Sequence, residues 1–361
     1  MEGRGPGPEG KGFNYFLRIK KRTAWWILVI IAILFSAVYF TLFGMRSVYR
    51  HFGLYFLKPT ETHWPAGSKE AIHTCIGPMQ GKLVWGSSRT GSHQIFLMTL
   101  PELTIYQLTH HPHVDYHPRF SPEGSRIVFA RSQRKWVSER DQLPWDIYMY
   151  DLETGREKLA ASNGNFPFWL PDGQRILFLR DRQVIVKDLI TDKESIIFNG
   201  RRPPRDAEPS TPELVPLNPD RLAVTLRGKP SGVFLADLSR HRLEMFSENA
   251  CEITWLPGTS NLVWVEVGGR GGTQLITSPV EKVKKRMFMD LPFSFSHEYF
   301  PRFSRDGKWL VWGASEGDHE HDLADYEIFL WKLGSPWEKA VRLTYNKAND
   351  RFPDIFIERN N

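Results

Sequence analysis

The sequence contains few cysteines and little excess charge. Two of its 361 residues are cysteine, so at most one disulfide can form within the chain. The formal net charge is +6, and the first 22 residues contribute +4 of it, through six basic and two acidic side chains. The remaining +2 gives nucleic-acid binding little electrostatic basis, and no basic stripe with interleaved aromatic residues occurs. We therefore expect no nucleic-acid partner.

Motifs for metal or phosphate chemistry are missing or incomplete. No His-Glu-x-x-His motif of a zinc protease occurs in the sequence. Gly5–Lys11 has the letters of a phosphate-binding loop, but Gly12 stands where Ser or Thr is needed and no strand precedes the segment. We interpret this match as chance.

One phrase occurs twice with nearly the same chemistry, at 116–129 (YHPRFSPEGSRIVF) and at 299–312 (YFPRFSRDGKWLVW). Each copy alternates apolar and polar residues, passes through a Ser-x-x-Gly turn and alternates again, which predicts a β-hairpin. Further copies of decreasing clarity lie at 166–179, 213–226 and 252–265. A second pair of strands is predicted between successive hairpins, so each unit holds four strands.

Units of roughly 40 to 50 residues with four strands are typical of β-propeller blades. Blades are predicted to start near residues 81, 114, 165, 212, 250 and 297, so we expect an all-β, six-bladed propeller over 75–361. Residues 349–357 match the first strand of the phrase and then stop, whereas 81–88 match a second strand that lacks a first. We expect these two segments to complete one blade and close the ring.

The repeat resembles that of the TolB-type propellers of bacterial envelope proteins. The resemblance lies in three stretches of one unit, Pro118–Gly124, Asp146–Tyr148 and Asp151–Gly155, and in the Leu-Thr endings at 108–109 and 343–344. It spans about residues 75 to 357 and implies the propeller fold; it is specific for the repeat rather than for a function. TolB carries a small α/β domain before its propeller, for which we expect no counterpart here.

Residues 24–43 contain no charged side chain and are about long enough to cross a bilayer as a helix. We predict a basic cytoplasmic tail at 1–22, a transmembrane signal-anchor helix at 23–44 and a juxtamembrane linker or collar at 45–74. A cleaved signal peptide is the alternative for the apolar run. Residues 44–59 fit either an interfacial amphipathic helix or a collar on the propeller.

Basic residues at 18–22 outweigh those that follow the apolar run, which predicts a cytoplasmic N-terminus. The propeller would then lie outside the cytoplasm, on the periplasmic side of a bacterial inner membrane. Cys75 and Cys251 fall near blades one and five, which are not neighbours in a ring of six, so we expect unpaired, buried thiols.

Three blades carry an acidic residue three positions before the proline of their first strand. These are Asp115, Glu298 and Asp350, which we expect at the mouth of the central channel. Each could pair locally with Arg119, Arg302 or Arg351; alternatively the three could share a cation or a basic peptide.

Two loops on the same face have opposite charge. The blade-six loop at 314–327 includes Asp318, Glu320 and Asp322, and the blade-two loop at 130–146 includes Arg134, Lys135 and Arg140. Such loops are either solvated or form a docking surface for a partner of complementary charge. A protein or peptide partner is the interpretation that we adopt.

Histidines near the same face raise an enzymatic alternative. His117, His297, His319 and His321 are weak candidate metal ligands, and a related propeller family of pectic-fragment lyases holds a metal in its channel through histidines. A metal-dependent, carbohydrate-active lyase is therefore the second hypothesis. The first is a membrane-anchored interaction scaffold without a cofactor, apart from a candidate cation in the channel.

Overall fold

The computed structural model describes residue 54 and residues 57–141, 143–200, 208–215, 218–229, 231–292, 294–317 and 320–358. The predicted tail (1–22) and transmembrane helix (23–44) lie outside these residues. Within the described part of the chain, no helix is both long enough and apolar enough to span a bilayer.

The strands of the described residues form six four-stranded antiparallel sheets, which confirms the predicted all-β propeller. Blade 1 consists of β24 (Asp350–Ile357), β1 (Gly81–Ser87), β2 (Gln94–Leu100) and β3 (Thr104–Gln107). Blade 2 consists of β4 (Asp115–Phe120), β5 (Arg126–Ser132), β6 (Trp145–Asp151) and β7 (Arg156–Ala161). Blade 3 consists of β8 (Asn165–Trp169), β9 (Arg175–Arg180), β10 (Gln183–Asp188) and β11 (Glu194–Asn199).

The remaining blades repeat the same order, from the innermost strand outward. Blade 4 consists of β12 (Glu208–Val215), β13 (Asn218–Arg227), β14 (Gly232–Asp237) and β15 (Arg242–Glu248). Blade 5 consists of β16 (Ala250–Trp255), β17 (Asn261–Gly268), β18 (Gly272–Pro279) and β19 (Arg286–Met289). Blade 6 consists of β20 (His297–Phe303), β21 (Trp309–Ser315), β22 (Tyr326–Lys332) and β23 (Val341–Arg342).

Both ends of the propeller sequence contribute to blade 1, as predicted. Strand β24 pairs antiparallel with β1, with Ile357 opposite Gly81 and Asp350 opposite Ser87. The innermost strands contact one another in the closed order β24, β4, β8, β12, β16, β20 and back to β24. Closure leaves no innermost strand without a neighbouring blade, which protects sheet surface that an open array would expose.

The hairpin turns of the repeat owe their shape to serine and glycine. The amide of Gly124 donates to the carbonyl of Ser121 (2.9 Å), and the Ser121 hydroxyl accepts from the amide of Arg126 (3.0 Å). Ser304 and Gly307 repeat the arrangement in blade 6. Gly124 has a φ of 72°, and a Cβ there would lie 2.4 Å from the Phe356 ring, so both conformation and space require glycine.

A short helix that the sequence analysis did not predict, α1 (Ser68–Ile76), precedes blade 1. Ile72 and Ile76, one turn apart, bury their side chains against the outer strands of blades 1 and 6. Cys75 lies in this helix and Cys251 in β16; both are free thiols, but they are half-buried rather than fully buried as expected. Of residues 44–59, only Leu54 and 57–59 are described, and Leu54 packs between blades 1 and 2.

Candidate binding face at the channel mouth

We call the end of the propeller where the innermost strands begin, and where each second strand turns into the third, the mouth face. Just inside it, every innermost strand bulges at one residue with φ between 40° and 57°, where its pairing with the second strand shifts register. The six residues are His117, Phe166, Thr211, Glu252, Phe300 and Phe352. A bulge re-aims the side chain of the strand, here toward the channel axis.

Four of these side chains form an aromatic layer that fills the channel. The His117 ring lies 4.4 Å from that of Phe166 and 4.0 Å from that of Phe352, and Phe352 lies 4.4 Å from Phe300. All four are at most 3% exposed. Burial lowers the pKa of His117 well below its usual value, so this imidazole is neutral at neutral pH.

A charged layer follows two residues further along the strands. Arg302 of blade 6 crosses the channel and pairs with Glu213 of blade 4. The guanidinium carbons of Arg119 and Arg302 lie 5.2 and 4.8 Å from the centre of the same Phe168 ring. Burial, together with Arg302, lowers the pKa of Arg119 to about 9. Behind the mouth face the channel is thus occupied by the protein's own side chains.

The three predicted acids are all fully buried. Asp115 accepts two hydrogen bonds from Arg131 (2.7 and 2.8 Å), and Asp350 accepts from Arg89 (2.8 Å). Glu298 accepts from the amide of Leu291 (2.9 Å). Local pairing therefore describes Asp115 and Asp350, but the predicted partners were wrong, because Arg131 and Arg89 take the places expected of Arg119 and Arg351.

Burial sets the pKa values of two of these acids. Burial raises the pKa of Asp115 to about 6, although Arg131 opposes the shift. Burial raises the pKa of Glu298 to about 8, with backbone hydrogen bonds opposing. None of the three carboxylates is exposed at the mouth, so a direct contact of these groups with a partner would require a rearrangement of the mouth face.

The two loops of opposite charge meet each other across the mouth. Arg140 of the blade-two loop lies 3.3 Å from Glu320 of the blade-six loop, and the Ser138 hydroxyl donates to Asp322. Asp322 also accepts from Arg351 of β24 (3.0 Å). Opposite charge therefore joins these two loops into one surface above blade 1.

A buried carboxylate, Glu139, lies beneath this junction. His321 contacts Glu139 through Nδ1 and Oε1 at 2.8 Å, and Arg227 of blade 4 lies 3.8 Å from the other Glu139 oxygen. Although burial opposes it, His321 and Arg227 hold the pKa of Glu139 well below its usual range. The sequence analysis missed Glu139 and Arg227, since nothing in the repeat marks residues that meet across the channel.

Three of the four candidate metal ligands have other contacts in the described residues. His117 lies in the aromatic layer, His321 pairs with Glu139, and His297 packs beside Gly272 of blade 5. Among the residues that the structure describes, no three His, Cys, Asp or Glu side chains are grouped so that they could hold a metal ion. Asp318 and His319 lie outside the described residues.

Gly313–Gly317 (GASEG) has the letters of the Gly-x-Ser-x-Gly nucleophile elbow. In a hydrolase, that motif joins a strand to a helix and exposes the serine. Here Ser315 ends β21, is 1% exposed and precedes a loop that leads into β22. The structural context therefore does not match the motif.

The parts of the mouth face that remain exposed differ between the two loops. In the blade-two loop, Arg134 and Lys135 are exposed and the neighbouring Trp136 is 64% exposed. In the blade-six loop, Leu323 is 83% exposed. Exposed Trp and Arg side chains are enriched at sites of macromolecular contact, and Leu323 adds apolar surface on the neighbouring loop.

The fold and this face can be compared with known proteins. No protein-family profile matches the chain. An uncharacterized peptidase of Bacillus subtilis, YuxL, is 21% identical over 216 residues, which cover 59% of this chain and 31% of the relative. The chain thus spans about a third of the length of that curated relative.

Solved structures place the chain among the TolB-like propellers by fold. TolB of Acinetobacter baumannii superposes with a TM-score of 0.58 and 15% identity, covering 76% of this chain and 66% of that one. A protein assigned as TolB from Agrobacterium tumefaciens gives 0.52 and 12%, covering 78% of this chain and all of that one. An oligogalacturonate lyase in complex with manganese scores 0.46, a likeness too weak to bear on function. The comparisons support a TolB-like six-bladed fold.

Proposed function

We propose that the chain is a membrane-anchored, extracytoplasmic propeller that binds a protein partner at its mouth face. The observation that carries the proposal is the filled channel. His117, Phe166, Phe300 and Phe352 occupy its cross-section, so a ligand that approaches this end of the propeller contacts only the outer surface of the mouth face. The two TolB structures have the same fold, and a protein partner is consistent with that likeness.

The proposed contact residues lie in the blade-six loop and at its junction with the blade-two loop. Leu323 supplies an exposed apolar anchor, and the Arg140–Glu320 pair beside it keeps partly exposed charge at the rim. An apolar centre with a polar rim is the usual composition of protein interfaces. The junction of the loops holds this surface in one shape before binding, which reduces the entropy lost on association.

The test is site-specific photocrosslinking of the full chain in its native membranes. A photoreactive residue at position 323 is expected to give a discrete crosslinked protein. The matched control is position 190, because Ile190 is 71% exposed but lies in the turn between β10 and β11, at the opposite end of the propeller. Equal crosslinking from both positions, or none from 323, would contradict the proposal.

Residues 23–44 form the proposed anchor, with 1–22 in the cytoplasm and the propeller in the periplasm. A reporter that is active only outside the cytoplasm, fused after Asn361, is expected to be active. Neutralising Lys20, Lys21 and Arg22 together should weaken this orientation, because basic residues hold a loop on the cytoplasmic side. An inactive reporter on a stably inserted chain would overturn the location.

The lyase hypothesis remains a prediction that no observation favours. Metal analysis of the purified chain tests it, with a His117→Ala, His321→Ala variant as the comparison. A stoichiometric metal that the variant loses would favour the enzyme over the scaffold.

A further inference from the structure

The tip of the blade-two loop carries charge that the protein does not neutralise. Arg134, Lys135 and Trp136, which we call the basic tip, are all exposed. Among the described residues, neither Arg134 nor Lys135 has an ion pair, whereas Arg140 in the same loop is paired with Glu320. Of the acids in this loop, Glu139 is buried beneath the mouth face, and Asp141, which the structure also describes, is exposed but forms no ion pair with Arg134 or Lys135. The basic tip therefore projects two uncompensated positive charges and an indole.

The path of the chain before blade 1 provides a second, independent observation. Pro59 pairs antiparallel with Tyr106 of β3, so residues before Pro59 run toward the end of β3 at Gln107. That end leads directly into β4 and therefore lies at the mouth face. Leu54 packs in the same cluster as Leu108, between blades 1 and 2. Leu54 and residues 57–59 thus lie on the mouth side of the propeller, beside the blade that carries the basic tip.

The length of chain upstream limits how far the propeller can lie from the bilayer. Residues 44–53, ten in number, separate the last apolar residue of the predicted span, Phe43, from Leu54. Ten residues reach at most about 35 Å when fully extended. If residues 23–44 cross the membrane as proposed above, the side of the propeller beside Leu54 is held within that distance of the lipid headgroups.

We infer that the basic tip binds the anionic headgroup surface of the membrane in which the chain is anchored. Indole rings favour the headgroup zone because one side is apolar and the other donates a hydrogen bond. Each Lys or Arg close to an anionic bilayer increases binding roughly fivefold. The inference rests on the proposed anchor. In it, Arg134 and Lys135 contact lipid headgroups, and the blade-six loop remains the proposed contact surface for the protein partner.

The test uses the full chain in vesicles of phosphatidylcholine with or without phosphatidylglycerol. A fluorophore is attached at Gln133→Cys, which leaves the basic tip intact, in a Cys75→Ser, Cys251→Ser background. Quenching by spin-labelled lipid is expected in the anionic vesicles and is expected to fall severalfold in the neutral ones. The same label at Ile190→Cys should show little quenching in either.

Charge reversal at the tip, with Arg134→Glu and Lys135→Glu, should abolish the quenching at position 133 in anionic vesicles. Equal quenching at 133 and 190, or quenching that survives the reversal, would overturn the inference. So would quenching that appears only after membrane proteins are added, because that result would assign the tip to a protein. Resistance to carbonate extraction reports the anchor separately: a chain that is extracted refutes the anchor, whereas a retained chain without quenching refutes only the lipid contact.

Discussion

Blades 2 and 6 contain the two best copies of the repeat, yet the same position behaves differently in each. Asp115 and Glu298 both lie three residues before the proline of an innermost strand. The residue opposite Asp115 on the second strand is Arg131, whereas the residue opposite Glu298 is Ala314. The first acid gains a guanidinium and the second only a backbone amide and Thr273. The repeat thus determines the backbone position of each acid, whereas the residue opposite it on the second strand determines its hydrogen-bond partners.

The largest effect is expected when the strand between these blades is removed. Strand β24 contacts both β4 and β20, so deleting residues 349–361 opens the ring and exposes the buried Tyr116 and Phe300. We expect the chain to lose its cooperative unfolding transition or to melt far lower. Thermal unfolding measures this, with deletion of residues 359–361 alone as the control. An unchanged melting temperature after the longer deletion would refute the closure.

A smaller effect is expected when the pair in blade 2 is broken. Asp115→Asn leaves the Arg131 guanidinium with Glu157 as its remaining carboxylate partner. Loss of one partner of a buried pair costs about 3 to 5 kcal/mol. Because burial already disfavours the charged form of Asp115 and raises its pKa to about 6, we expect the free energy of unfolding in urea at neutral pH to fall by less than this, by about 1 to 3 kcal/mol. Glu316→Gln, an exposed acid in blade 6, should change it by less than about 1 kcal/mol. Equal changes for the two variants would show that the Asp115–Arg131 pair is not a stabilising contact.

The third variant, Glu298→Gln, is expected to differ least from the parent in its free energy of unfolding at low pH. The difference should grow as the pH rises. The folded-state pKa is about 8 against a usual value of 4.5, so the folded protein keeps a proton that the unfolded chain loses. The contribution of protonated Glu298 to the free energy of unfolding is complete below pH about 4.5 and is lost as the pH rises to about 8. Glutamine cannot ionise, so the variant should gain stability relative to the parent across this window, on the order of a few kcal/mol.

Unfolding in urea at a series of pH values measures that gain. The variant Glu316→Gln serves again as the control, because it removes a carboxylate that is exposed to solvent. A difference between Glu298→Gln and the parent that stays constant from pH 5 to pH 8 would mean that Glu298 is already ionised in the folded protein.

The blades could be predicted because turn chemistry and alternation are local. Ser121 and Gly124, or Ser304 and Gly307, determine a hairpin by contacts within a few residues. The closure by β24 was also predicted from the sequence. Residues 349–357 match a first strand without a second, and residues 81–88 match a second strand without a first, so the two segments were expected to pair. Helix α1 was missed because its apolar spacing is limited to Ile72 and Ile76 within nine residues.

The candidate site could be predicted only in part because its contacts are distant in sequence. The pairing of Arg140 with Glu320 and of Glu139 with His321 depends on which loops the ring brings together across the mouth. The aromatic layer did leave a signal, since His117, Phe166, Phe300 and Phe352 each precede a proline of the repeat. Their approach at the channel axis follows from the bulge, which the alternation pattern does not encode.

The joining of β1 to β24 also has a consequence for the order of folding. Gly81 pairs with Ile357, so the first blade along the chain is the last that can be completed. Contacts between residues this distant in sequence slow folding, because a long loop must close before any of them forms. Until Asp350–Ile357 has been synthesised, the inner edge of β1 remains unpaired and available to other strands. During biogenesis this edge is therefore a site where non-native strand pairing can begin.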